Sequence, residues 1–267
     1  AESMGQKIGF PQYILDPNEL DSEYEGIEIH PDKYFENVIS ILQQSALKDQ
    51  WKLRNPVDKT QWVTSPAVVN AFYTRSKNVI SFPAGILQPP LYHPNYPRSL
   101  NYGGIGVVIG HEITHGFDDK GRQFDQFGNL KQWWNKESLD KFQIKSECMI
   151  RQYNNYVMED IGMNVNGVNT QGENIADNGG IKQAFRAYLK WESRHGSESY
   201  LPGVNLTHYQ LFFLNYAQIW CGLMRPEALI NAIRTVIGTL SNFNEFAKAY
   251  NCPVGSRMNP RKKCEVW

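Results

Sequence analysis

In the stretch Val107-Val108-Ile109-Gly110-His111-Glu112-Ile113-Thr114-His115, two histidines stand four residues apart, with a glutamate directly after the first. On a helix, residues i and i+4 share one face, so the imidazoles of His111 and His115 can converge on one metal ion. Glu112 then points beside that ion, where a carboxylate can take a proton from water. Residues 102–116 carry Ile105, Val107, Val108 and Ile109 and no proline, and Gly116 is a natural stop, so a buried helix is expected there. Catalytic zinc usually takes three protein ligands and leaves a fourth position open. Two neutral imidazoles plus one carboxylate leave the site net positive, which keeps the metal a useful Lewis acid. The candidate third ligand is Glu173, 58 residues after His115, in Gly172-Glu173-Asn174-Ile175-Ala176-Asp177-Asn178-Gly179-Gly180. Glu173 and Asp177 are again i and i+4. One would bind metal; the other would accept the free ring N–H of a ligand histidine and fix its tautomer.

These two segments, GHEITHGFDD at 110–119 and GENIADNGG at 172–180, resemble the catalytic core of the neprilysin and endothelin-converting-enzyme family of zinc metallopeptidases. So do Val69-Asn70-Ala71-Phe72-Tyr73, the run FPAGILQPP at 82–90 and the ending Cys264-Glu265-Val266-Trp267. The resemblance extends from about Lys7 to Trp267. It implies one Zn2+ per chain, held by His111, His115 and Glu173, with Glu112 as general base and Asp177 as the partner of His111. It implies that Asn70 and Ala71 hold a substrate backbone, and that Ile86, Leu91, Val107, Val108, Ile219 and Trp220 surround the side chain following the cut bond. The fold implied is α+β and mostly helical: a thermolysin-like zinc-peptidase core with a small β-sheet next to the metal helix. The implied activity is hydrolysis of oligopeptides on the amino side of large hydrophobic residues.

One departure stands out. Between Ile233-Arg234-Thr235 and Val236-Ile237-Gly238, members of the resembled family carry an Asp-x-His-Ser-Pro segment soon followed by arginine. Its histidine donates to the oxyanion and its arginine grips the substrate carbonyl. Here Thr235 runs straight into Val236. Either the polypeptide lacks the segment or a stretch of chain is missing between the two residues. The absent donors favour an alternative reading, a noncatalytic peptide-binding or receptor module that retains the metal site; an intact Glu112 weighs against it. A purely structural metal domain would be expected to show a fourth protein ligand, and none is evident.

Composition sets limits on both readings. With 267 residues, 41% of them hydrophobic, the chain can bury a sizeable core. Lys plus Arg balances Asp plus Glu at 27 each, so no basic field suggests nucleic acid. No apolar run approaches the 18 or so residues of a membrane span, and the first residues lack a basic-then-apolar leader. By resemblance, the chain is expected to be a single peptidase domain, 1–267, with residues 1–60 as a helical lead-in and 61–267 as the metal-site core. The resembled family adds an N-terminal capping half and a membrane anchor that this chain does not contain, and this places the protein outside the cell or at its surface.

The four cysteines, Cys148, Cys221, Cys252 and Cys264, form no C-x-x-C pair, and an even count permits two bridges by three connectivities. The resemblance pairs Cys148 with Cys264 and assigns Cys221 and Cys252 to partners outside this chain. Asn205-Leu206-Thr207 is a glycosylation sequon set after Pro202-Gly203 in a surface loop.

Several elements must position these residues. Residues 31–53 read as an amphipathic helix. Residues 67–73 and 78–82, rich in β-branched and aromatic side chains, read as a hairpin whose exposed edge beside Asn70 can add an extended peptide as a strand. Four prolines make 87–99 a rigid loop leading into the metal helix. Helices are expected over 135–156, from Glu173 through Leu189, over 207–220 and from Pro226 to Arg234. Asn166-Gly167 reads as a tight turn before the Glu173 helix, and Asn242 with Glu245 as a capping pair for the last helix.

Overall fold

The computed structural model describes residues 1–158, 162–223, 225 and 235–267. The elements run β1 (Gly5–Gly9), α1 (Pro17–Ser22), α2 (Tyr34–Lys52), β2 (Phe72–Thr74), β3 (Val79–Pro83), α3 (Arg98–Asn101), α4 (Val107–His115), α5 (Lys136–Asn154), β4 (Val157–Met158), β5 (Met163–Asn164), α6 (Gly167–His195), α7 (His208–Gln218), α8 (Thr235–Asn242) and α9 (Asn244–Ala249). The mixture is mostly helical with small sheets, the α+β class expected. The helix expected from Pro226 to Arg234 lies outside the described residues. Thr235 and Val236 are successive residues of α8.

Beside α4 lies a three-stranded sheet in the order β1-β3-β2. β2 and β3 form an antiparallel hairpin, with Phe72 opposite Ser81 and Thr74 opposite Val79. β1 pairs parallel to β3 along its other edge, which leaves β2 exposed on one side. The hairpin starts later than the pattern suggests. Residues 67–71 are not strand, because the chain turns at Ser65–Val68 (Val68 N donates to Ser65 O, 3.2 Å) and packs its carbonyls on Gly85. Asn70 Oδ1 then accepts from Ala71 N at 2.9 Å, using an amide that a sheet would need.

The metal-motif helix is longer than expected at its N-terminal end. Arg98 to His115 is one right-handed run, α3 joined to α4 through a π turn at Tyr102–Gly106. A π turn displaces amides from their usual partners. Ile105 N instead donates to Leu91 O at 2.8 Å, which pins the proline-rich loop against the helix. Asn215 of α7 braces the same loop, donating to Pro90 O at 3.2 Å and Leu100 O at 2.7 Å.

α4 crosses α6 through glycines. A methyl group on Gly110 would lie 2.6 Å from Gly180 O, and one on Gly180 2.6 Å from His111 N. With no side chain on either, the two backbones approach more closely than helices usually do. α6 begins at Gly167 with Asn166 as its N-cap, the Asn166 side chain accepting from Val168 N and Asn169 N. Asn166-Gly167 is therefore a helix cap rather than a hairpin turn. One core cluster packs α6 with α4, α7 and α8 through Val107, Ile181, Phe185, Phe212, Phe213 and Leu240. A second cluster joins α5 to the C-terminal segment through Phe142, Met149, Tyr153, Ile175 and Val266.

Asn242 does not cap α9, whose N-cap is Phe243 with no side-chain bond. It is buried instead, donating to Gln152 Oε1 (2.9 Å) and Asn178 Oδ1 (3.0 Å) and accepting from Cys264 N (3.0 Å). The demand of these buried backbone and amide groups for partners outweighs a cap open to water. α2 has no buried residue: Tyr34, Phe35, Leu42 and Trp51 all stand exposed.

Candidate metal centre and cleft

Helical spacing places His111 and His115 one turn apart on α4, with ring centroids 4.5 Å apart and planes nearly perpendicular. The close α4–α6 crossing then brings Glu173 up to both. Its Oε2 lies 3.2 Å from His111 Nε2 and 3.5 Å from His115 Nε2. Four ligands around zinc at about 2.0–2.1 Å stand roughly 3.3–3.4 Å from one another, so these separations fit the edges of such a tetrahedron. The fourth corner opens on a cleft of about 510 Å³.

Each imidazole has a carboxylate behind it. His111 Nδ1 is 2.8 Å from Asp177 Oδ1, and His115 Nδ1 is 2.7 Å from Asp118 Oδ2. A ring that donates from Nδ1 presents the Nε2 lone pair to the cleft, the form a metal ligand needs. Asp118 is fully buried and further fixed by the amides of Lys120 (2.9 Å) and Gly121 (2.5 Å) on its Oδ1. Reading the sequence missed Asp118. The signal was present in His115-x-x-Asp118, but the helix stops at Gly116, and only the turn after it swings the carboxylate back under the ring.

The electrostatics follow from this packing. Burial works to lower the pKa of both histidines, but the carboxylates outweigh it. Asp177 and Glu173 hold His111 well above the ordinary imidazole value, and Asp118 and Glu173 push His115 up to about 9. Hydrogen bonds to the two histidines keep Glu173 far below the usual carboxylate range. Glu112 is buried, and that burial raises its pKa although the neighbouring histidines pull it back in part. A carboxylate raised in this way holds a proton more readily than an exposed one, which suits it to taking and returning one.

Asn70, Ala71, Ile86, Leu91, Val107, Val108, Ile219 and Trp220 all line this same cleft with the metal-motif residues. The apolar ones cluster around the first turn of α4. Four lining residues were not assigned to the site from the sequence: Val69, and Phe72, Tyr73 and Arg75 of the hairpin. Away from the cleft, Cys148 and Cys264 form a disulfide, while Cys221 and Cys252 are free thiols. Asn205 is exposed. Among the described residues, no helix is long and apolar enough to cross a membrane.

Fold and site together define a helical metal-site protein of the zinc-metallopeptidase type: a His-Glu-x-x-His helix crossed by a helix supplying a third carboxylate. The chain belongs to peptidase family M13, whose model matches residues 70–266. It is 52% identical to neprilysin-2 of Caenorhabditis elegans and 49% identical to an endothelin-converting enzyme homolog of Locusta migratoria. Each match covers the whole of this chain but 38% of the relative. The alignment to neprilysin-2 runs over 276 positions against 267 residues here, so that relative carries residues with no counterpart in this chain. Among solved structures, the inhibitor complex of the Mycobacterium tuberculosis zinc metalloprotease Zmp1 superposes with a TM-score of 0.89 at 32% identity, over all of this chain and 41% of that one.

Proposed function

We propose that this chain is the catalytic part of a zinc-dependent endopeptidase acting on oligopeptides outside the cell. The observation that carries the reading is the convergence of His111, His115 and Glu173 at zinc spacing, with Glu112 buried alongside and an open cleft in front. One zinc per chain would be held by those three side chains. When bound, it supplies Lewis acidity that polarises a carbonyl and makes water a better nucleophile. Asp177 and Asp118 hold the two imidazoles in the tautomer that faces the metal. Glu112 takes a proton from the attacking water on its carboxylate and returns it to the leaving amine. Asn70, exposed beside the edge strand, and the buried Ala71 next to it hold the peptide backbone, and the apolar pocket around Val108 and Trp220 accepts a large hydrophobic side chain after the cut. Among the described residues, no histidine besides the two ligands lines the cleft. The oxyanion role that the resemblance gives to the Asp-x-His-Ser-Pro segment is therefore unassigned here.

Since the relatives are far longer, a capping half belongs to the proposal, and the exposed apolar face of α2 is where such a half finds surface to cover. Metal analysis alongside cleavage of a fluorogenic peptide, with and without chelator, tests the reading. Glu112→Gln is expected to keep zinc and lose roughly 10²-fold or more in turnover. Near-normal cleavage by the zinc-loaded variant would remove Glu112 from the mechanism.

A further inference from the structure

The cleft has two chemically different ends, separated by the length of α4. Val107 and Val108 stand at the first turn of this helix and His115 at its last, so about 12 Å of helix axis lies between the ends. The first end is apolar. At the second, Arg75 enters the lining, and it is the one arginine or lysine among the described residues that does so. Its guanidinium approaches Asp118 Oδ2 at 3.7 Å, too long for a charge-assisted hydrogen bond, and its Nε is buried with no partner. The side chain remains 36% exposed. Arg75 is also held in place. It sits on the β2–β3 turn, where Asn78 Nδ2 donates to Gln126 O at 3.0 Å and Gly128 packs against the Ser76 carbonyl.

We propose that Arg75 forms a specificity subsite for an acidic side chain on the amino-terminal side of the cleaved bond. This rests on the peptidase reading, in which the apolar end takes the residue after the cut and the opposite end takes those before it. An extended peptide advances about 3.3–3.6 Å per residue. Two steps, 3.7 Å from Arg75 to Asp118 and 2.7 Å from Asp118 to His115, separate the guanidinium from the ligand ring. That reach corresponds to one or two residues before the cut. A glutamate or aspartate there would give the exposed part of the Arg75 guanidinium a carboxylate at closer range than Asp118, and no other arginine or lysine among the described lining residues competes for it.

The test uses full-length, zinc-loaded protein and paired peptides differing only in Glu against Gln at the first or second position before the cut. Each pair is read twice: as kcat/KM for the cleavable peptide, and as Kd for the same peptide with a reduced, uncleavable scissile bond. A partly solvated arginine–carboxylate pair should favour Glu by about tenfold in both readouts, less at high salt, with the effect in KM rather than kcat. Arg75→Gln should bring the ratio close to one. No turnover with the Kd ratio intact would sink the peptidase reading and leave the acidic subsite standing. Turnover with a ratio near one in the wild type overturns the subsite. So does an Arg75→Gln variant that weakens both peptides equally while losing zinc, because Arg75 would then merely prop Asp118.

Discussion

The spacing of the three candidate ligands depends on two helices touching where neither has a side chain, and Gly110→Ala tests that dependence. The added methyl would stand 2.6 Å from Gly180 O, whereas ordinary contact begins near 3.4 Å, so α4 and α6 must separate by about 0.8 Å. Metal–ligand distances tolerate only about 0.2 Å. Free protein can relax by opening the crossing; zinc-bound protein must close it again. Overpacking of this kind costs about 1–3 kcal/mol, and charged against binding it becomes a 5- to 150-fold loss of zinc affinity, approximately. Competition with a chromophoric chelator measures the affinity, and circular dichroism checks that the variant is folded. Gly106→Ala, four residues earlier in the same run, is the control. Its methyl would meet nothing closer than Asn101 O at 3.5 Å, so zinc affinity should hold and helix propensity should add up to about 1 kcal/mol of stability. A folded Gly110→Ala variant with wild-type zinc affinity would refute the idea that the crossing sets the ligand spacing.

Three further expectations follow from the same site. Asp118→Ala should weaken zinc by about 10- to 100-fold, as should Asp177→Ala, because each frees one ligand ring; equal affinity in the Asp118 variant would show that the buried Asp118 serves only the turn. In metal-free protein, the His115 pKa is raised from about 6.5 to about 9, so its contribution to stability is complete below about pH 6.5 and lost as pH rises through 9. Zinc must displace the His111 and His115 protons, so affinity should fall by up to about 100-fold per unit as pH drops below neutrality. Calorimetry in buffers of differing ionisation heat reads the protons released, and a pH-independent affinity between 6 and 8 would contradict the assignment.

Much of the fold was legible wherever helical periodicity carries the information. α4, α5, α6 and α7 fall where their apolar spacing predicts, since each buries a stripe against a neighbour. The helix pair 111/115 and 173/177 could be read together because both members of each pair lie on one helix face. What escaped is what only tertiary contact decides. β1 follows no local pattern of its own and exists because β3, more than sixty residues away, offers it a parallel edge. Asn242 resembles a cap by spacing but is taken by a buried network. Asp118 and Asp119 are adjacent carboxylates of equal standing in sequence, and only the fold turns Asp118 under His115. Arg75 belongs to a hairpin turn, where spacing says nothing of what the side chain will face.

The Asn242 network also has a consequence for the order in which a ribosome delivers this chain. His111, His115 and Glu173 have all been synthesised once the first turns of α6 emerge. Yet Asn178, one residue beyond Asp177, has only its Nδ2 served by the earlier Asn174 O and Tyr153 OH; its Oδ1 accepts from Asn242, which in turn accepts from the amide of Cys264, roughly ninety residues downstream of Asn178. At about 5–20 residues per second, the ligands wait several seconds for the segment that fixes their helix. During that interval, the α4–α6 crossing that sets their distances lacks the buried bond that Asn242 later gives to α6. A ribosome stalled short of Cys264 would thus hold every zinc ligand, but on an α6 whose buried network with Asn242 is still incomplete.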